Sequence, residues 1–317
     1  MISSDWRPAA SVEAQQQRAA LYRAIREYFY RRQVCEVDVP SLSRAAAVDP
    51  QIDSIPAQVC GETLYLQSSP EFFMKRMLAA GCGDIYSLNK AFRNGEAGRR
   101  HNPEFTMLEW YRLGWDDQRL MDEVAELIGD CVPLPSVERL SYRQIFEREL
   151  GLDPHTASLA QLKHAAQQCS EIRWDDDDRD VWLDVLMTHA IEPRMGAGLV
   201  MVYDFPQSQS ALARTGLDEH GQIVAKRFEA FVGGVELANG YWELCDGVEQ
   251  AQRLQQDLNK RKALGLPQYP SAQKLVEALN VGLPDCAGVA LGVDRLLMLI
   301  TGSSDIRTLL AFPFERA

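Results

Sequence analysis

The chain has 317 residues, enough for one large domain or two ordinary ones. A hydrophobic content of 46% supplies an ample core, and a net charge of −12 argues against a broad, nonspecific polyanion-binding surface. Its 7 cysteines and 5 histidines show no zinc or redox spacing, so reduced thiols and no transition metal are expected, with Cys82, Cys245 and Cys286 as buried structural thiols.

The first eight residues lack the apolar run of a secretory leader. Asp294 and Arg295 interrupt the best apolar stretch, so a cytoplasmic chain without a membrane span is expected. Leu21, Ile25 and Phe29 form a stripe that predicts an amphipathic helix over 11–33. Ser69-Pro70-Glu71 predicts the start of a second helix, closed by Gly81: a capping serine, a first-turn proline and an acid at the positive end. Residues 84–93 and 104–112 alternate like antiparallel strands around a loop. Asp116 or Asp117 should cap a helix carrying Leu120, Val124 and Ile128. From 133 to 195 the pattern turns helical, with a capping box at Ser158 and Gln161. The four acids at 175–178 suit a solvated helix start better than a metal site. This stretch is predicted as a helical insertion within one domain spanning 1–317. Strands return at 199–205 and 226–244, and Gly233-Gly234 predicts a bulge or tight turn in the latter. Helices are expected at 248–262 and 271–281, then a strand and helix around 288–295.

The stretch 90–111 carries the most chemical information. Arg93, Arg99, Arg100 and His101 crowd a loop rich in glycine, and guanidinium groups match phosphate oxygens in two-pronged geometry. Phe105, Met107, Glu109 and Tyr111 follow at spacing two, on one face of a strand. Such an element could hold a triphosphate at its turn, a flat base on Phe105 and an amine on Glu109. The arginines alone would suit a solvated hairpin tip; a carboxylate amid aromatics favours a site. Asn239, Tyr241 and Glu243 repeat the pattern at spacing two, with Glu236 close by. Carboxylates and phenols facing one pocket suit an ammonium group.

The same stretch resembles motif 2 of the class II aminoacyl-tRNA synthetases, in particular the lysyl branch. Glu36-Val-Asp-Val-Pro40 resembles motif 1, the dimer-interface strand, and Gly288-Val-Ala-Leu-Gly-Val-Asp-Arg295 resembles motif 3. The three occur in the family's order, and residues 309–313 resemble its closing strand. The resemblance implies an α+β fold, a mainly antiparallel sheet flanked by helices, in a homodimer. Lysyl enzymes carry an anticodon-binding barrel ahead of the catalytic domain. Here the first helix runs directly into motif 1, so that barrel is expected to be missing. In this the chain resembles the synthetase paralogues that attach (R)-β-lysine to a lysine of elongation factor P, and no tRNA partner is expected.

The resemblance also implies roles. Glu109, Tyr111 and Glu243 would hold the side-chain ammonium of a lysine-like substrate, and Ser69, Pro70 and Glu71 would meet its other amino group. Asn239, Tyr241 and Ala290 would shape the pocket. Arg93 would bind the carboxylate and the α-phosphate of ATP. Asn94, Gly95, Glu96, Arg100, His101, Asn102, Leu237 and Gly292 would line the nucleotide, with Phe105 under the adenine and Arg295 at the far phosphates. Glu229 and Glu236 match the acids that hold Mg2+. Two positions depart from the pattern. Gly95 stands where many class II enzymes have glutamate, with Glu96 next; Ala290 stands where lysyl enzymes have glycine. Ala290 links the chain to β-lysine ligases. The alternatives are a stand-alone lysyl-tRNA synthetase core and a non-catalytic, synthetase-like regulatory subunit.

Overall fold

A computed structural model describes residues 6–169 and 174–317. Ser11 opens α1 (Val12–Arg31) by accepting the Ala14 N–H at 3.1 Å, and the predicted stripe Leu21, Ile25 and Phe29 is buried. Four short strands follow: β1 (Cys35–Glu36), β2 (Leu42–Ser43), β3 (Pro56–Val59) and β4 (Glu62–Leu66). Then come α2 (Glu71–Ala79) and the long strands β5 (Ile85–Phe92) and β6 (Glu104–Leu113). Asp116 starts α3 (Asp117–Cys131), accepting the Arg119 N–H at 2.8 Å.

The stretch 133–195 holds β7 (Val137–Ser141), α4 (Tyr142–Leu150), α5 (Leu159–Cys169) and α6 (Arg179–Leu186); its residues 170–173 lie outside the described residues. Ser158 and Gln161 form the expected capping box, and Ser141 with Gln144 forms a second one that opens α4. Asp178 caps α6, and Asp175 pairs with Lys163 at 2.6 Å, so the acid run is a helix start on a wet face. After β8 (Leu199–Pro206) and β9 (Thr215–Leu217) comes a hairpin of β10 (Ile223–Val232) and β11 (Val235–Trp242). The chain ends with α7 (Gly247–Ala263), α8 (Gln273–Gly282), β12 (Cys286–Gly292) and α9 (Val293–Thr301).

These elements form two compact units. The first takes in the chain up to Gly114, Asp130–Val132 and Cys245–Ala317. Its main sheet runs β1-β5-β6-β12, antiparallel except for the parallel β1–β5 pair, and β2-β4-β3 form a small separate sheet. The alternation of β6 decides what lies on each face. Trp110 faces α1, where Phe29 stacks on Tyr86 at 4.5 Å and meets Trp110 at 5.4 Å. Tyr111 points the other way, into a cluster with Met74, Leu78, Leu275 and Leu279. The face of Glu109 and Tyr111 is therefore the one overlaid by α2.

The second unit takes in Trp115–Gly129 and Pro133–Leu244. Its strands run β11-β10-β8-β7, with β9 on β10. Ile145, Phe146, Trp182 and Leu186 pack against Val200, Val202 and Phe231 to form its core. Both units combine largely antiparallel sheet with flanking helices, the α+β character expected.

The hairpin of β10 and β11 needs both of its glycines. Val232 pairs with Val235, so Gly233 and Gly234 are the whole turn, and both have positive φ (58° and 69°). That is the turn whose twist matches two antiparallel strands. A Cβ on Gly234 would lie 2.3 Å from the Glu192 carbonyl oxygen, whereas one on Gly233 meets nothing within 4 Å. Gly233→Ala should cost only the left-handed backbone penalty, roughly 1–2 kcal/mol. Gly234→Ala adds an overpacking clash, typically about 1–3 kcal/mol more. Thermal melts of the two variants should rank them in that order; equal melting temperatures would remove the clash from the account.

Two expectations are corrected. Residues 309–313 form no strand: Leu309 and Leu310 are buried after a short 3-10 turn (Ile306–Thr308). The Leu309 and Leu310 N–H groups turn back to the Ile306 carbonyl, the Ala9 and Ala10 N–H groups donate to the Ala311 and Leu310 carbonyls, and Pro313 has no N–H to extend a ladder. Of the three thiols expected to be buried, Cys286 is buried, Cys245 is half-buried and Cys82 is exposed, because it lies in the turn after α2. No helix among the described residues is long and apolar enough to cross a membrane.

Candidate active site

In the first unit, β6 brings Glu109 between two neighbours in one row. Ser87 of β5 and Ala290 of β12 both pair directly with it. Directly opposed residues of antiparallel strands share a face, about 5 Å apart at Cβ, so the Ala290 methyl flanks the Glu109 carboxylate. Glu109 is buried, and both its oxygens accept from hydroxyls: Ser69 Oγ at 2.7 Å and Tyr111 Oη at 2.7 Å. Ser69 Oγ also accepts the Glu71 N–H at 3.0 Å, which fixes the entry to α2 to the central strand. Pro70 begins that helix in its α conformation. The Glu71 carboxylate meets Lys75 at 2.6 Å.

The loop between β5 and β6 is tied down at several points. Asn94 donates from its backbone N to the Asp53 carbonyl (2.8 Å) and from its amide to the Asp53 carboxylate (2.6 Å). Tyr269 donates to the other Asp53 oxygen. Gly95 has φ +75°, a conformation that suits glycine and strains glutamate, so the departure from the motif 2 pattern has a backbone cause. Glu96 instead approaches Arg93, at 3.6 Å. The Arg93 guanidinium lies 5.2 Å from the Phe105 ring centroid, and its Nε is buried without a hydrogen-bond partner. Arg99 and Arg100 are exposed at the turn. His101 Nε2 lies 2.6 Å from the Arg295 guanidinium on α9, and Gly292 precedes that helix. The Asn102 side chain is engaged by backbone: it donates to Glu104 O (2.7 Å) and accepts the Phe314 N–H (3.0 Å). Asp294 receives the Thr106 N–H at 2.6 Å and pairs with Arg18 at 2.6 Å, so this motif 3 acid joins α9 to β6 and α1.

In the second unit, a bulge does work that spacing alone could not show. Ala230 pairs with Ala238, but the next residue, Phe231, pairs with Glu236. Leu237 is thus the extra residue of β11, and its insertion changes the alternation. Glu236 thereby joins the face that carries Asn239 and Tyr241. Glu229 sits directly opposite Asn239, and Arg227 opposite Tyr241. Arg227 pairs with Glu229, and its Nε reaches Asn239 Oδ1 at 3.3 Å. Burial raises the Glu229 carboxyl, Arg227 opposes that rise and Glu236 adds to it, leaving it pushed up to about 7. Glu243 is buried, and its backbone carbonyl accepts from Arg214 at 3.1 Å.

Lys75, Asp53 and Arg227 were not among the expected site residues. Lys75 lies four residues after Glu71 on a helix and Arg227 two before Glu229 on a strand, so simple spacing could have found both. Asp53 sits in irregular chain with no local signal.

Residues 4–316 match the family model of class II tRNA synthetases (D, K and N). The chain is also 47% identical, over 324 residues, to an elongation factor P–(R)-β-lysine ligase of Yersinia enterocolitica, covering 99% of each protein. With motifs 1, 2 and 3 in order on its sheet strands and helix α9, this chain belongs to the class II tRNA synthetase family of the D, K and N branch.

Proposed function

We propose that this protein is an ATP-dependent ligase that activates (R)-β-lysine as an adenylate and transfers it to a lysine side chain of elongation factor P. The observation that carries the reading is the likeness, across 99% of both chains, to a ligase of that name. The residues are consistent with it. Ala290 stands in the row of Glu109, beside the carboxylate assigned to the substrate's side-chain ammonium. One methyl at that point changes the pocket by about the amount that separates close homologues of a substrate, roughly 1–3 kcal/mol.

In the first step a substrate carboxylate oxygen attacks the α-phosphorus of ATP, and the bond to pyrophosphate breaks. Two anions must meet, so cations placed in advance supply most of the catalysis. Arg93 is assigned to the meeting point and Arg295 to the departing phosphates. A buried Nε–H without an acceptor is costly, which suits Arg93 to receiving a ligand oxygen. In the second step the neutral amine of the acceptor lysine attacks the acyl carbon, AMP leaves, and an amide forms. No protein nucleophile takes part.

Magnesium favours one or two carboxylates plus phosphate oxygens, and Glu229 and Glu236, on one face of the β10–β11 hairpin, fit that requirement. The ion would neutralise phosphate charge. Its presence would also favour the ionised form of Glu229 over the protonated one. The reading further takes the chain as one catalytic domain over 1–317 with an insertion at 133–195, working in the cytoplasm as a homodimer. Strand β1, which leads into motif 1, is an edge of its sheet and available to a second copy.

The test is to supply ATP, (R)-β-lysine and either elongation factor P or total tRNA, then weigh the products. A mass gain on the protein, lost when its target lysine is substituted, is expected. Efficient charging of tRNA with no protein adduct would overturn the reading in favour of a lysyl-tRNA synthetase core.

A further inference from the structure

Lys75 is a charged side chain at 0% exposure that the reaction as described does not use. It lies one turn after Glu71 on α2, with its Nζ 2.6 Å from Glu71 Oε1. Helical side chains lean toward the N-terminus, so the lysine reaches back beneath the glutamate. The pair is unequal: the ammonium side chain is 0% exposed and the carboxylate side chain 17%. An apolar side chain of similar length would fill the same space without the desolvation cost, so the buried charge calls for a reason. The reason offered by the geometry is precision. Glu71 is gripped at one oxygen from below, while its N–H is held by Ser69 Oγ (3.0 Å), which itself bonds Glu109 (2.7 Å).

We propose that Lys75 is a positioning residue for amino-acid selection: it fixes the Glu71 carboxylate so that only an amine on the β-carbon is well received. The inference rests on the assignment of Glu71 to the substrate's second amino group. The α- and β-amino acids differ in which carbon bears that amine. A carboxylate free to swing would serve both; a tethered one discriminates.

Pyrophosphate exchange tests this with (R)-β-lysine and α-lysine in the wild type, Lys75→Met, Glu71→Gln and the double variant. Wild-type exchange comes first: none with either amino acid would sink the parent reading and this proposal together. Given exchange, Lys75→Met should raise KM for (R)-β-lysine about tenfold and cut the preference over α-lysine about tenfold, with KM for ATP unchanged. The double variant should match Glu71→Gln alone, because a residue acting through another shows no independent effect. A loss confined to kcat, a loss equal for both amino acids, or effects that multiply in the double variant would overturn the proposal and leave the parent reading standing. Should Lys75→Met fail to fold, Lys75→Arg keeps the charge but shifts its position. It should narrow the same preference, and an unchanged preference would count against the proposal.

Discussion

Arg295→Ala should abolish most ATP use with any amino acid. Removing one partner of a desolvated charge pair typically costs about 2–5 kcal/mol, which converts to roughly 30- to 5,000-fold in rate. The guanidinium sits early in α9, and its neighbour His101 comes from the loop that also carries Arg93. A single substitution there would remove a phosphate clamp and release that loop contact. Arg295→Lys should recover little, since an ammonium keeps the charge but not the planar fork. Pyrophosphate exchange titrated in ATP reads the effect directly. Near-wild-type exchange would remove Arg295 from the site.

Regular elements were legible because their signals are local. The stripe Leu21, Ile25 and Phe29 and the alternation through 104–112 each report on a single helix or strand, and both lie where expected. The Ser158–Gln161 capping box was equally local. What stayed hidden depends on chain brought from elsewhere. Asp53, 41 residues from Asn94 in sequence, holds the motif 2 turn through a carboxylate that no nearby pattern marks. The bulge at Leu237 is a property of the pairing between β10 and β11, so the sequence could place glycines at the turn but not Glu236 on the face of Asn239. The C-terminal residues misled for a related reason. Leu309 and Leu310 read as a strand by resemblance, yet they are buried after a 3-10 turn, where residues 9 and 10 donate to the Ala311 and Leu310 carbonyls. Motif resemblance reached further than local pattern did, because a motif stores a tertiary arrangement that periodicity cannot.

Glu109→Gln should produce the complementary defect. The carboxylate is buried on the central strand of its sheet and held by two hydroxyls, from Ser69 and Tyr111. These hydroxyls orient both oxygens and carry no charge of their own. Glutamine keeps the shape but removes the charge that an ammonium would meet. It also places an NH2 where Ser69 or Tyr111 now donates. The cost for a buried, charged partner is again about 2–5 kcal/mol, so KM for the diamine should rise roughly 30-fold or more while KM for ATP holds. Ser69→Ala and Tyr111→Phe each delete a charge-assisted hydrogen bond to that carboxylate and should cost about 1.5–3 kcal/mol, roughly 13- to 160-fold, with Ser69→Ala also losing the Glu71 N–H contact. The decisive comparison uses an amino acid of the same length with a methyl in place of the terminal ammonium. With that substrate the wild type should be poor, and Glu109→Gln should be no poorer, because there is no charge left to lose. If Glu109→Gln instead harmed the charged and uncharged substrates equally, the carboxylate would be holding Ser69 and Tyr111 in place. The ammonium would then have to be bound elsewhere.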